Sequence, residues 1–251
     1  LYFAANKGGG TTPSQTFSVS NSGDGSLSWT VTENESWLSC SPTSGINDGT
    51  VTVSVDAAGL SAGTYNGTIS VSDSNATNSP QTVSVAFTIY NAGASQPPFG
   101  LVEAPLEGAV LSGSIAVTGW VVDDIGVQGV RIYRQVGASL FPVGDAVLVE
   151  DARPDIAALY PQYPMSNKAG WGYMMLTNFL PNSGNGTFVI HAIATDKEGN
   201  TTTLGVRTIT CDNASAVDPF GAIDTPEQGG TASGNDYVNF GWALTPQPNA
   251  I

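Results

Sequence analysis

The first ninety residues alternate apolar and polar side chains with a period of two. Thr16-Phe17-Ser18-Val19-Ser20, Leu27-Ser28-Trp29-Thr30-Val31, Thr50-Val51-Thr52-Val53-Ser54-Val55, Thr68-Ile69-Ser70-Val71-Ser72 and Thr82-Val83-Ser84-Val85-Ala86-Phe87-Thr88-Ile89 all follow this rule. Each run puts apolar groups on one face and Ser or Thr on the other, as a half-buried antiparallel strand does. Turn-forming clusters at residues 21–25, 41–45 and 61–64 separate the runs. Short strands at this spacing predict a β-sandwich.

Residues 92–98 are small and polar and end in Pro97-Pro98, which reads as a linker between a unit at 1–91 and a second at 99–212. In the second unit the pattern predicts strands at 115–122, 129–134, 146–149, 186–194 and 203–211. Between them, Arg153 to Leu176 reads as a long excursion rich in proline and aromatic residues. A repeat then appears. Pro98-Phe99-Gly100 leading to Gly119-Trp120 returns as Pro219-Phe220-Gly221 leading to Gly241-Trp242. Self-similarity at domain length predicts a modular array. Residues 219–251 are then either the start of a third repeat or a tail that donates strands to another subunit.

The pattern Asn21-Ser22-Gly23, Leu27-Ser28-Trp29, Trp37-Leu38-Ser39-Cys40-Ser41-Pro42, Val51 to Val55 and Gly63-Thr64-Tyr65 to Ile69 resembles a BACON-type module. The resemblance implies an immunoglobulin-like fold of secreted bacterial proteins, and carbohydrate or mucin binding as the role first proposed for that family. Ile193-Ala194-Thr195-Asp196 to Thr202 resembles the last hairpin of bacterial immunoglobulin-like repeats. The expected fold class is all-β, as tandem immunoglobulin-like β-sandwiches.

Charge narrows the partners. Seven Lys plus Arg face 21 Asp plus Glu, a formal net charge of −14. So acidic a surface repels phosphate and argues against nucleic acid and anionic membranes. No apolar run approaches the ~20 residues of a membrane helix, so no membrane insertion is expected within this segment. Calcium is the one cofactor the sequence suggests. Asp123, Asp124, Asp196, Glu198 and Asn200 fall in turns, which a sandwich gathers at its ends, and hard oxygen ligands there suit Ca²⁺. Asp212, Asp218 and Asp224 lie in or near the second linker. The alternative is that these residues only shape turns.

Other candidate sites are few. His191 is the single histidine, set between Ile190 and Ala192, and its neighbourhood holds no Ser, Cys or carboxylate partner for catalysis. Tyr160, Tyr163, Trp171 and Tyr173 make either an aromatic platform for a sugar ligand, a subunit contact, or a plug for the end of the sandwich. Arg153 and Asp155 are placed to pin the base of that excursion by an ion pair. Cys40 and Cys211 are either two buried thiols or one disulfide between domains or chains.

The expected function is a non-catalytic structural module array of a bacterial extracellular surface protein: a stalk, an adhesin segment or a fibre subunit. Its expected partners are its own copies or neighbouring immunoglobulin-like modules. The alternative is a carbohydrate-binding accessory region of a larger secreted enzyme, with glycans as partners.

Overall fold

The computed structural model describes residues 1–214, 220–225, 229–230 and 240–244. Asp218 and most of the second linker lie outside the described residues. The first sandwich is built from β1 (Tyr2–Asn6), β2 (Gln15–Val19), β3 (Ser28–Glu33), β4 (Leu38–Ser41), β5 (Ser44–Ile46), β6 (Gly49–Val55), β7 (Gly63–Ser72) and β8 (Gln81–Tyr90). Its two sheets run β1-β8-β7-β3-β5 and β2-β6-β4. The alternation works as read. Val51, Val53 and Val55 of β6 face Val85, Phe87 and Ile89 of β8 across one core, all buried. Trp29 fills the space over Gly45 and Gly49, where a Cβ would come within 2.1 and 2.6 Å of its ring. Its indole N–H donates to Asn47 O at 2.8 Å.

The second sandwich holds β9 (Phe99–Ala104), β10 (Val110–Leu111), β11 (Ser114–Val122), β12 (Val127–Val136), β13 (Ser139–Val149), α1 (Pro154–Leu159), β14 (Gly170–Leu176), β15 (Gly186–Asp196) and β16 (Thr201–Cys211). Its strands follow the order β10-β16-β15-β12-β13-β14-β11-β9. β13 joins the two faces. It pairs with β12 up to Ala146 and with β14 at Val147–Val149. Both sandwiches carry a parallel strand against the last one, β1 on β8 and β10 on β16.

One expectation needs correction. Gly170–Leu176, read as part of the long excursion, is strand β14, paired with β11 along its length. Its run Gly-Trp-Gly-Tyr-Met-Met-Leu has no period-two contrast because apolar residues stand on both faces, Trp171 and Met175 buried and Met174 and Leu176 exposed, and Gly170 and Gly172 carry no side chain. Beyond the second sandwich, β17 (Phe220–Thr225) pairs with β18 (Phe240–Leu244) as an antiparallel hairpin. Among the described residues no helix is long and apolar enough to cross a membrane.

Candidate functional site

The junction between the sandwiches collects the acidic turns. β11 ends and β12 begins at one pole of the second sandwich, with Asp123 and Asp124 in the turn between them. β15 ends at Asp196, opposite Val127 of β12, so the turn 197–200 lies beside the first. The linker from Tyr90 to Phe99 crosses over both.

Each carboxylate there has a defined task. Glu198 accepts the backbone N–H of Gly93 at 2.9 Å and of Ser95 at 3.1 Å. It also accepts the Ser95 hydroxyl and a side-chain hydrogen bond from Asn6. These donors, the Ser95 hydroxyl first among them, hold its acid below the ordinary value. Asp124 accepts the N–H of Gln96 at 3.1 Å and the Tyr90 hydroxyl. Burial pushes the Asp124 acid up against those bonds, and burial beside Asp124 pushes the Tyr90 phenol up to about 12. Asp196, fully buried, accepts the N–H of Glu198 and of Asn200, both at 2.8 Å, and the Asn200 amide at 2.8 Å. That amide also reaches Ser95 Oγ at 3.2 Å.

Asp123 is the exception. Its Oδ1 accepts Ile125 N–H and Gly126 N–H at 2.8 and 2.7 Å, while its Oδ2 is buried without a hydrogen-bond partner. Burial, with Asp124 and Asp196 adding repulsion, pushes its acid up to about 6. Lys197 beside it is pushed down by its own burial.

All five residues read as calcium ligands thus meet at this junction: Asp124, Asp196 and Glu198 accept backbone N–H, hydroxyl or amide donors, Asn200 donates its amide, and Asp123 keeps one oxygen unpartnered. Among the described residues, no three His, Cys, Asp or Glu side chains form a group able to hold a metal. The linker side of the arrangement, Tyr90, Gly93, Ser95 and Gln96, was not foreseen. Its one sequence signal is the small, polar make-up of the segment, which says nothing of its partners, Asp124 for Tyr90 and Gln96 and Glu198 for Gly93 and Ser95.

The aromatic residues separate into two groups. Phe99, Trp120, Tyr160 and Tyr163 form one cluster, with ring centroids 5.3–6.0 Å apart and Trp120 stacked on Tyr160. With the buried Val122, Ile156 and Ala169 they seat the 150–169 excursion on β9 and β11. Arg153 fixes its base through Asp155, at 2.7 and 2.9 Å, and Glu103 of β9, at 2.5 Å. Trp171 does not serve as a ligand platform: it is 2% exposed in the main core, beneath Gly119. Tyr173 lies over Gly144 and donates to Val143 O at 3.3 Å. Tyr163 also faces a cleft of about 590 Å³ between the sandwiches, with Tyr2, Gln15, Glu150 and Lys168.

Cys40 and Cys211 are free and buried in separate cores, so no disulfide joins the two domains within the chain. Burial raises both thiols, Cys40 to about 11. His191 is bonded to Gln135 at 2.8 Å on the open face of the sheet.

Residues 3–85 match the viral BACON domain. The matched stretch spans β1 to most of β8, the whole first sandwich but for its last residues. Domains of this family are typically non-catalytic, which makes residues 3–85 a structural or binding module. No curated protein matches it. Among solved structures, a Bacteroides ovatus GH5 xyloglucanase in complex with a XXXG heptasaccharide aligns at 21% identity and TM-score 0.31, over 45% of this chain and 25% of the enzyme. This chain therefore spans about a quarter of that enzyme's length. Fibronectin(III)-like modules of Clostridium thermocellum CbhA align at 16% identity and TM-score 0.30, over 85% of this chain and 90% of theirs. A chimeric titin Z1Z2 aligns at 11% identity and TM-score 0.36, over 84% and 93%.

Proposed function

We propose that the chain is a non-catalytic structural segment of an extracellular surface protein, in which a carboxylate-lined junction fixes the spacing and angle of two sandwiches. The surface is that of a bacterium or of a virus particle; the viral description of the matched family supports the second. The observation that carries the reading is Glu198. Its carboxylate takes two backbone N–H groups and a hydroxyl from a linker that a loosely tethered pair of domains would leave to water. A stiff pair transmits force and holds whatever lies beyond it at a set distance.

Small-angle X-ray scattering tests this. The chain should fit one rigid arrangement of the sandwiches, and Glu198→Ala with Asp124→Ala should require an ensemble. A wild type that already requires an ensemble sinks the reading.

The inter-sandwich cleft supports a second reading, a glycan-binding accessory region, because Tyr2 and Tyr163 line it beside the amide of Gln15 and the charges of Glu150 and Lys168. A glycan array answers that question: hits that Tyr163→Ala abolishes favour it, and an empty array removes it.

A further inference from the structure

β13 changes partners part-way along, and the change leaves strand edges uncovered inside the second sandwich. Over 139–146 it pairs with β12, and over 147–149 with β14. β14 is paired with β11 along its whole length, but with β13 only over 170–172. Among the described residues, 173–176 of β14 therefore has a neighbour on the β11 side alone. Alternate residues of such a stretch turn their N–H and C=O away from the paired strand. Tyr173 stands where β13 and β14 part. Its ring lies over Gly144, where a Cβ would come within 2.4 Å of it, and its hydroxyl donates to Val143 O at 3.3 Å. The missing side chain at Gly144 is what lets Tyr173 bridge the two strands.

Where the strands part, a hollow of about 480 Å³ opens, lined by Arg134, Phe141, Met174, Leu176 and Phe179. Phe141, Met174, Leu176 and Phe179 are all exposed, Phe179 by 80%. Apolar side chains and an uncovered strand edge in one place are the arrangement that invites strand addition.

Charge says what the occupant carries. Arg134 sets its guanidinium 5.6 Å over the ring of Phe141, its cross-strand neighbour. The chain has 21 acidic residues against 7 Lys plus Arg, and Arg131, Arg153 and Lys168 each pair with a carboxylate. Arg207 spends its donors on the carbonyls of Val102, Pro105 and Val206. Arg134 makes no ion pair among the described residues, in spite of that surplus of acid. An occupant with a carboxylate supplies the partner. A sugar would bring hydroxyls into a hollow whose lining has a single charged side chain and is otherwise largely apolar. An extended peptide brings the N–H and C=O groups that an uncovered edge takes up.

We propose that a partner protein lays an extended segment along 173–176 of β14, with its apolar side chains covering the hollow and a carboxylate among them meeting Arg134. The main-chain ladder supplies affinity, and Arg134 selects an acidic segment over a basic one. This goes beyond the spacer reading, which holds whether or not this edge is occupied.

Fluorescence anisotropy of labelled short peptides against the full chain tests it. The peptides alternate valine and threonine, with an aspartate moved through the valine positions. At least one of them should bind, and the same peptide with lysine for aspartate should bind about tenfold or more weakly. Arg134→Gln should bring the two peptides level, and Met174→Asp should lose both; these are surface changes, and circular dichroism checks that the fold is kept. N-methylating alternate peptide residues should abolish binding in one phase and spare it in the other, because one edge of the peptide meets β14. A panel in which no peptide binds overturns the proposal. So does an aspartate preference that survives Arg134→Gln, and so does indifference to N-methylation, which would mean a site for apolar anions and not for a strand. Sedimentation velocity of the chain alone tests the remaining occupant: self-association that Phe179→Asp dissolves would put a second copy on this edge and overturn the proposal as well.

Discussion

Glu198 accepts the backbone N–H of Ser95 at 3.1 Å across 103 residues of sequence, from a turn of the second sandwich to the linker that leads into it. A short polar linker ordinarily leaves two domains free to move. Here the linker donors are satisfied by carboxylates of one partner. Glu198→Ala should therefore leave two N–H groups and a hydroxyl without their charged acceptor, at a cost of about 1–3 kcal/mol. The check is chemical denaturation, with the loss confined to the transition of the second sandwich if the two unfold separately.

Asp123 should make stability depend on pH in the direction opposite to that of Glu198. The folded acid sits at about 6 against an ordinary 3.8. The folded chain therefore binds a proton that the unfolded chain has released, and stability rises as pH falls through that window. Above pH 6 the full penalty stands, at most about 3 kcal/mol for a shift of roughly two units. Asp123→Asn keeps an acceptor for Ile125 and Gly126 and puts a neutral amide where the buried carboxylate charge was. It should be the more stable form at neutral pH, with the difference gone near pH 4. Thermal melts of both forms across that range measure it. A difference that grows toward low pH would contradict the assignment.

Two matched glycines separate the core from the hairpin. Gly119→Ala pushes a methyl into Leu101 O and the Trp171 ring, and a backbone carbonyl cannot swing aside as a side chain can. A loss of about 1–3 kcal/mol or more is expected in the main transition. Gly241→Ala makes the equivalent clash against Ala222 O but touches only the hairpin. Its main transition should stay where the wild type's is, followed by circular dichroism on heating.

The legible part of the fold is the part whose two strand faces differ. β6 and β8 are plain because large apolar residues alternate with Thr, Ser or Ala along them. β14 is not, because both of its faces are covered for part of its length and Gly170 lies against Ala152 and Arg153 rather than in a turn. The acidic turns could be placed at an end of the sandwich from sequence. Their use could not, because a linker N–H leaves no trace in the identity of its residue. Trp171 looked like its neighbours Tyr160 and Tyr163, and only pairing with β11 shows that it belongs to the core.

Buried thiols should be silent until the fold opens. Burial raises Cys40 to about 11 and raises Cys211 as well, so neither is a thiolate at neutral pH. A disulfide-exchange reagent should label neither in buffer and both in denaturant. Prompt labelling of one thiol in buffer would mean that its sandwich opens locally.

Nitrogen-15 relaxation measured separately on the two sandwiches tests the fixed junction most directly. A rigid junction predicts one rotational correlation time shared by residues 1–90 and 99–211, and two distinct times once Glu198 and Asp124 are both replaced by alanine. Two distinct times in the unaltered chain would contradict it.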